Sequence, residues 1–335
     1  MKVAVIGDGG WGTTLAILLS RKGEDVRLWS VFPEYAALLS QKRENVKFLP
    51  GIPIPKEIAI SSDILKVVEG TEVIVLAPPS HFMREVAARL KEVPLSDKIL
   101  VSVSKGLENK TLFRMSQVIR DVLGKGTRLA VLSGPNIAYE IAQGLPALAV
   151  AASEDVKVAQ AVKKLFTSEN FGVYLGDDVI GVEMGGSLKN VIAIAAGITD
   201  GLGLGTNAKA ALFTRGVVEM AKLGIRLGAR IETFTGLSGL GDLVTTCLSP
   251  KSRNRCFGEE IGKGRHLEEI LKGTEMVVEG IRTATSALAL GNKFQLDLPI
   301  TQEIKSVLYD GKDPHQALKD LMTRRRGEEL KLWHQ

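Results

Sequence analysis

A lysine and an asparagine stand in the middle of an otherwise apolar segment, "EMGGSLKNVIAIAAG", at residues 183 to 197. If this segment is a helix, Gly185 and Gly186 precede Lys189 by one turn on the same face, and their missing side chains would leave a notch for a ligand. A lysine beside such a notch could carry a proton to and from a substrate. Close helix packing around the glycines, with Lys189 reaching out to solvent, explains the same pattern equally well.

Two later segments carry groups that a catalytic lysine would need. "LSGLGDLVTTC" places Asp242 after a glycine-rich turn, where its carboxylate could pair with a lysine and orient it. "SPKSRNRCFG" places Ser252 where it could cap a helix whose first turn receives an anion, and Arg253 adds a fork of donors. Each feature alone is more typical of structure than of catalysis. Together they offer a base, an orienting carboxylate and a phosphate site.

The amino-terminal segment "VAVIGDGGWGTTLA" carries Gly7, Gly9 and Gly12 in the spacing G-x-G-x-x-G, after a strand pattern and before a helical one. These glycines would permit a tight turn, the approach of a pyrophosphate and close packing of helix on strand, and the N–H groups of the helix would face the phosphates. The alternative is an ordinary glycine turn, but the context favours dinucleotide binding. The second strand ends in "VRLWSVFPE", where Arg27 lies inside the strand and Glu34 a turn beyond it, so neither decides between NAD and NADP.

The elements that must position these groups differ between the two halves of the chain. Short β-branched runs at 2–6, 26–29, 72–77, 98–104, 128–132, 147–151 and 171–174 alternate with helical patterns at 11–22, 81–91, 112–123 and 155–166. This alternation predicts an α/β domain over residues 1–178, with a Rossmann-like, doubly wound parallel sheet covered on both faces. Lys105 and the segment 134–136 follow two of the strands, at the carboxyl ends where ligands bind.

Helical patterns take over after residue 178, at 180–199, 208–227, 253–262, 277–292 and 301–309. Glycine-rich interruptions at 200–207 and 235–242 separate some of them. We therefore predict an all-helical second domain over residues 179–335. A chain of 335 residues is long enough for two such domains.

Composition and charge narrow the class of protein. The net charge of +5 comes without a basic stripe, apart from residues 324–326, so we expect no nucleic-acid partner. Two cysteines, Cys247 and Cys256, lack the spacing of a zinc site, which predicts no metal and a reducing compartment. The amino terminus runs directly into a strand, and no run of 18 apolar residues follows it, so we expect a cytoplasmic protein without a membrane span.

The motifs, taken in order, resemble one family, the NAD(P)-dependent glycerol-3-phosphate dehydrogenases. The matching segments are "GDGGWGT", "ENVKFLPG", "SVSKGLE", "SGPNIAYE", "GGSLKNVIAIAAG", "GLGDLVTTC", "SRNRCFG" and "VVEGIRT". The resemblance implies reversible reduction of dihydroxyacetone phosphate to sn-glycerol 3-phosphate with NADH or NADPH, in supply of glycerophospholipid synthesis. It also implies a homodimer and a helical domain similar to the carboxyl-terminal domain of 6-phosphogluconate dehydrogenase.

The resemblance further implies a role for individual residues. The catalytic set would be Lys189 as general acid and base, with Asp242, Lys105 and Asn190. The substrate would be bound by Lys105, Gly134, Asn136, Lys189, Asp242, Thr246, Ser252, Arg253 and Asn254. The cofactor would be bound by Gly7, Gly9, Gly10, Trp11, Gly12, Val31, Phe32, Lys105, Ala138, Arg253, Val277 and Glu279. Proton transfer by Lys189 requires a lowered pKa, which burial and cationic neighbours favour and Asp242 opposes.

Departures from the family pattern bear on the cofactor. Bacterial members commonly read "GAGSWGT" and "GPSFA", whereas this chain has Asp8, Gly10 and Asn136. Phe32 stands where NAD-dependent members place a phenylalanine beside the adenine, and Val31 replaces a basic residue of many NADPH-using members. These features favour NAD or dual use.

Other classes of protein remain as alternatives. One is a two-domain dehydrogenase of the 6-phosphogluconate or hydroxyacid type, or of the UDP-glucose type with Cys247 or Cys256 as nucleophile. A second is a non-catalytic dinucleotide sensor, and a third is a structural or partner-binding protein. The joint presence of Lys189, Asp242 and Arg253 favours the enzyme.

Overall fold

The structure, a computed structural model, describes residues 1–273 and 277–324. The chain divides into two compact units: Met1–Lys105 together with Met115–Val179 form the first, and Gly106–Arg114 together with the chain from Ile180 onward form the second. The sequence placed a single boundary after residue 178, so the segment 106–114 is the difference. Arg325 and Arg326 of the basic run lie outside the described residues.

Within the described residues, all strands of two or more residues belong to the first unit. They are β1 (Lys2–Ile6), β2 (Asp25–Trp29), β3 (Glu44–Asn45), β4 (Leu49–Pro53), β5 (Ala59–Ser61), β6 (Val73–Leu76), β7 (Ile99–Ser102), β8 (Leu129–Ser133), β9 (Ala147–Ala152) and β10 (Phe171–Gly176). Eight strands form one sheet in the order β10-β9-β8-β7-β6-β1-β2-β5, and β3 and β4 form a separate hairpin. Each strand predicted from the sequence is present, and the Rossmann-like fold is confirmed.

The helices of the first unit follow the strands. They are α1 (Gly10–Arg21), α2 (Pro33–Lys42), α3 (Ile64–Val68), α4 (Met83–Ala88), α5 (Met115–Leu123), α6 (Ala138–Ala142) and α7 (Val156–Phe166), with a 3₁₀ turn at Ser80–Phe82. The strand interiors are almost wholly aliphatic and buried, as in β6 and β7, where every residue is buried. Such strands belong in the middle of a sheet that is covered on both faces.

One pair of strands departs from the predicted parallel arrangement, because β9 runs antiparallel to β8. The connection between them contains only the five-residue helix α6. A helix of that length advances about 7.5 Å, whereas a strand of six residues extends about 20 Å, so α6 cannot carry the chain back along the sheet. The chain instead turns and pairs beside β8 in the opposite direction.

The strand β1 lies at the point where the order of the sheet reverses. It pairs in parallel with β2 on one side and with β6 on the other, and Ile6 is opposite both Trp29 and Leu76. The carboxyl ends of these strands therefore border the crevice in which doubly wound sheets bind their ligands.

The second unit is built of helices. They are α8 (Val179–Gly201), α9 (Gly205–Arg226), α10 (Ile231–Thr235), α11 (Asp242–Leu248), α12 (Arg253–Gly262), α13 (Leu267–Lys272), α14 (Glu279–Lys293), α15 (Pro299–Tyr309) and α16 (Pro314–Thr323). By length and composition α8 could cross a membrane, contrary to the sequence-based search for apolar runs, but 89% of its most apolar window is buried inside the structure. It is the central helix of this unit.

The glycine-rich segment 235–242 bends at Gly236 and is helical after it, so the prediction of a turn is wrong for most of the segment. Leu237–Gly241 forms a π-helical turn that leads directly into α11. A Cβ at Gly239 would lie 2.3 Å from the carbonyl oxygen of Phe234. Gly239 therefore permits the π-helical turn to pack against the end of α10 directly after the bend at Gly236.

Glycines also bring α8 and α12 into backbone contact. A Cβ at Gly197 would lie 1.9 Å from the carbonyl oxygen of Arg255, and a Cβ at Gly258 would lie 2.1 Å from that of Ile194. No side chain fits at either position unless the helices move apart. This contact sets the distance between the helix of Lys189 and the helix that begins at Arg253.

We expect Gly258→Ala to lower the free energy of unfolding by about 1–3 kcal/mol, because the added methyl group forces the two helices apart. Urea denaturation measures the change. Gly126→Ala is the matched control, because a Cβ at Gly126 has no neighbour within 4 Å. Equal stability of the two variants would show that the helices do not depend on this close contact.

Candidate functional site

The centre of the second unit holds a buried ion pair. Lys189, on α8, has only 6% of its surface exposed, and Asp242, the first residue of α11, has 1%. The Lys189 Nζ donates to Asp242 Oδ1 at 2.6 Å and also to the Thr246 hydroxyl. Asp242 and Thr246 are one helical turn apart, so both face the same lysine. The interpretation in which Lys189 reaches solvent is therefore wrong, and the pairing with Asp242 is confirmed.

The predicted notch beside Lys189 is filled at one of its two glycines. A Cβ at Gly185 would lie 2.4 Å from the carbonyl oxygen of Ser238 and 3.4 Å from the Cα of Gly239. Here the missing side chain makes room for the π-helical turn, and through it for Asp242 at the start of α11. Gly185 thus helps to position the Asp242 carboxylate and does not make room for a ligand.

Two buried asparagines connect three helices around this pair. The Asn254 amide donates to Asn190 Oδ1 at 2.9 Å, and Asn254 Oδ1 accepts from the Gly280 N–H at 2.9 Å. Asn190 in turn donates to the Gly186 carbonyl at 3.5 Å. Asn190 and Asn254 therefore hold the starts of α12 and α14 against α8.

The start of α12 presents donors that suit an anion. Ser252 is its N-cap, and the serine Oγ accepts from the Arg255 N–H at 3.3 Å, as the sequence predicted. The hydroxyl keeps its own hydrogen as a donor. Arg253 is exposed, permanently charged and within the electrostatic reach of Glu279, the first residue of α14. Val277 lies two residues before that helix.

In the first unit, the glycine turn after β1 has the geometry of a dinucleotide cradle. Gly7 has a φ of +124°, and a Cβ at Gly12 would lie 2.0 Å from the Gly7 carbonyl oxygen. A Cβ at Gly9 would have no neighbour within 4 Å, which leaves room for a phosphate group. Gly9 is also the N-cap of α1, and the first turn carries no acidic residue. The residues present therefore fit a bound pyrophosphate.

The hairpin of β3 and β4 covers this turn, which the sequence did not predict. The Asn45 amide donates to the Asp8 carbonyl and to the Thr13 hydroxyl, both at 2.7 Å. A Cβ at Gly10 would lie 2.7 Å from the Phe48 carbonyl oxygen. Asn45 is the last residue of β3, and because it is buried its amide must find hydrogen-bond partners, which this turn supplies.

Further predicted cofactor residues of the first unit follow β2 or lie on α1 and α6. Val31 and Phe32 follow β2, with 37% and 64% of their surfaces exposed. The Trp11 Nε1 is buried without a hydrogen-bond partner among the described residues. Ala138 accepts at its carbonyl from the Thr14 hydroxyl at 3.0 Å, which ties the start of α6 to α1.

The predicted substrate residues of the first unit follow β7 and β8. The Lys105 Nζ donates to the Gly134 carbonyl at 3.1 Å, and the Asn136 amide donates to the Leu148 carbonyl at 3.0 Å. A Cβ at Gly134 would lie 2.6 Å from that same Leu148 oxygen, so only glycine fits there. These contacts bring Lys105, Gly134 and Asn136 together at the carboxyl end of the sheet.

Neither thiol is suited to a covalent mechanism. Cys247 is fully buried, and burial raises its pKa to about 12, so it is a neutral thiol near pH 7. Cys256 donates to the Pro250 carbonyl at 3.2 Å. Within residues 1–273 and 277–324, no group of three or more His, Cys, Asp or Glu side chains could hold a metal ion.

Comparison with known proteins points to one family over nearly the whole chain. The models for the N-terminus and the C-terminus of NAD-dependent glycerol-3-phosphate dehydrogenase match residues 2–159 and 178–319. The glycerol-3-phosphate dehydrogenase [NAD(P)+] of Chlorobium phaeobacteroides is 48% identical over 98% of this chain and 99% of its own length.

Two solved structures agree with this result. The crystal structure of glycerol-3-phosphate dehydrogenase from Coxiella burnetii superposes with a TM-score of 0.92 at 38% identity, covering 96% of this chain and 98% of the other. The enzyme from Saccharomyces cerevisiae gives 0.82 at 28% identity, covering 97% and 99%. This chain therefore belongs to the NAD-dependent glycerol-3-phosphate dehydrogenase family, and it is an NAD(P)-dependent oxidoreductase that acts on a CH–OH group.

Proposed function

We propose that this protein catalyses the reversible NAD(P)H-dependent reduction of dihydroxyacetone phosphate to sn-glycerol 3-phosphate, with Lys189 as the group that moves the proton. The observation that carries the proposal is the buried contact of Lys189 with Asp242 and Thr246. A lysine enclosed in this way is held in one position and has defined proton acceptors beside it. The relatives that match nearly the whole chain are named for this reaction.

The chemistry divides between the cofactor and the lysine. The bound nicotinamide supplies the hydride for carbon 2 of the substrate in reduction and accepts it in oxidation. Lys189 Nζ donates a proton to the ketone oxygen during reduction and removes one from the hydroxyl during oxidation. Asp242 fixes the direction of the Nζ–H bonds and stabilises the ammonium form, while Thr246 contributes a hydroxyl to the same network.

The phosphate of the substrate is assigned to the start of α12. The Ser252 hydroxyl, the free N–H groups of the first turn and the positive end of the helix all favour a bound anion. Arg253 adds a permanent charge. Asn254 has both side-chain atoms engaged with protein groups, so its main effect is to hold this turn in place, and one amide hydrogen remains for the substrate.

In this proposal residues 1–178 form the cofactor-binding domain and residues 179–335 the catalytic domain. The glycine turn takes the pyrophosphate, Phe32 and Val31 take the adenine end, and Lys105, Gly134 and Asn136 contribute to substrate binding. The protein acts in the cytoplasm as a homodimer and supplies glycerol 3-phosphate for glycerophospholipid synthesis. The family resemblance supports these last assignments.

The reaction itself is tested by following the absorbance of NADH and NADPH at saturating dihydroxyacetone phosphate. We expect rapid oxidation of at least one of the two. Dihydroxyacetone without its phosphate is the control substrate, and its kcat/KM should be far lower because it cannot use the donors at the start of α12. Absence of oxidation with both cofactors would overturn the proposed function.

For the lysine, we expect Lys189→Ala to lower kcat by roughly 10²–10⁴-fold while the Kd for the cofactor stays close to the native value. The loss leaves Asp242 buried without its partner, which costs about 3–5 kcal/mol of stability. The double variant Lys189→Met with Asp242→Asn avoids that charge and should be equally inactive but better folded. Stopped-flow turnover and cofactor titration give the two quantities.

The matched control for these variants is Lys222→Ala, which removes a half-buried lysine from α9 in the same unit. It should turn over at the native rate. Near-normal kcat in the folded double variant would remove Lys189 from the mechanism.

The two thiols are expected to be dispensable. Because the raised pKa of Cys247 keeps it protonated well above pH 8, Cys247→Ala should retain turnover across the neutral range. Cys256→Ser should do the same. Loss of turnover in either variant, with native circular dichroism, would favour the covalent mechanism of the UDP-glucose type.

A further inference from the structure

The tip of β2 has no acidic residue of its own, yet a carboxylate lies there. The residue that follows the strand is Ser30, which is fully buried, and its hydroxyl donates to Asp8 Oδ2 at 2.5 Å. Asp8 belongs to the glycine turn after β1, between Gly7 and Gly9. Its side chain thus crosses from the first strand to the end of the second.

The fold determines this placement. Ile6 and Trp29 are opposite each other in the parallel pair of β1 and β2, and the Gly7 N–H donates to the Trp29 carbonyl at 3.2 Å. The residues that follow, Asp8 and Ser30, are therefore neighbours. The Asp8 backbone is held as well, because its carbonyl accepts from the Asn45 amide at 2.7 Å.

A carboxylate at the tip of the second strand has a known chemical consequence in dinucleotide-binding sheets. It accepts hydrogen bonds from the ribose hydroxyls of NAD and repels the 2′-phosphate of NADP. A carboxylate has lone pairs for several donors, so the bond from Ser30 does not exhaust Asp8. We propose that Asp8 performs this role from the glycine turn and makes the protein select NAD(H) over NADP(H); the proposal rests on the dinucleotide site assigned above.

The basic residue of β2 does not act at this tip. Arg27, the basic residue of β2, donates to the carbonyls of Lys66 and Glu69 at 2.9 and 2.8 Å and is engaged there. Burial raises the pKa of the Asp8 carboxyl above its ordinary value, and the hydrogen bond from Ser30, a backbone hydrogen bond and the charge of Lys47 offset this rise only in part. Two further acids lie near this end: Glu34 is exposed on the first turn of α2, and Asp63 is engaged as the N-cap of α3.

The test compares the binding of two probes that lack the nicotinamide ring, ADP-ribose and its 2′-phosphate, by calorimetry. The native protein should bind ADP-ribose at least about tenfold more tightly, a difference of about 1.4 kcal/mol, because the 2′-phosphate is repelled by the carboxylate. Asp8→Asn keeps the shape and a hydrogen bond to Ser30, and Asp8→Ala removes the group. Both variants should lose most of that preference.

Catalytic measurements provide a second readout. In both Asp8 variants, the ratio of kcat/KM for NADH to kcat/KM for NADPH should fall by about the factor by which the binding preference falls. The change should come from a lower KM for NADPH and not from a change in kcat. Glu34→Gln is the matched control. It should leave both the binding preference between the two probes and the ratio of the kcat/KM values at the native level. Melting curves confirm that the variants are folded.

The outcomes separate this inference from the proposed function. If the native protein binds both probes but the Asp8 variants keep the native preference, or if Glu34→Gln abolishes it, the role of Asp8 is overturned and the reaction is not affected. Tighter native binding of the 2′-phosphate probe overturns it as well. If the native protein binds neither probe, the dinucleotide site itself is absent and both proposals fall.

Discussion

The buried contact between Lys189 and Asp242 is the constraint on which the second unit depends. Removing two charges from water costs several kcal/mol for each ion, and only close, well-oriented partners offset it. Both residues are nearly inaccessible, and they meet at 2.6 Å with Thr246 beside them. The surrounding helices must therefore hold the two side chains within a few tenths of an ångström, since any separation leaves an unpaired charge in an apolar interior.

Glycines at the helix contacts hold the helices of Lys189 and Asp242 in these positions. At Gly185 the chain of the π-helical turn lies against α8, and at Gly197 and Gly258 the backbones of α8 and α12 touch. Backbone contacts of this kind leave little freedom to shift, because there is no flexible side chain between the helices to adjust. The asparagine link from Asn190 through Asn254 then fixes the start of α12. The start of α12, to which we assign the phosphate, and the lysine are in this way parts of one rigid arrangement.

The sequence predicted the order and type of the elements well, because the strands are continuous aliphatic runs and the long helices are strongly periodic. It also predicted the pairing of Lys189 with Asp242 and the cap at Ser252. The prediction failed at two glycine-containing features. The whole of the segment 235–242 was predicted to be a turn, and Gly185 was predicted to leave a notch for a ligand. At Gly185 and Gly239, the missing side chain makes room for backbone that is distant in the chain or across a tight turn. A local sequence pattern does not reveal such contacts. The hairpin of β3 and β4 was missed because a strand of two residues has no periodicity.

The contact between Asp8 and Ser30 is another one that the local sequence does not reveal. The usual search for an acid or a base at the end of the second strand finds Ser30 and Val31, and on that basis the cofactor stays undecided. The carboxylate is present, but it comes from the neighbouring strand, and only the parallel register of β1 and β2 brings it there. The proposed role of Asp8 implies that cofactor selection in this fold can be moved from one loop to another without changing the architecture, since electrostatic repulsion depends on the position of a charge and not on the strand that supplies it.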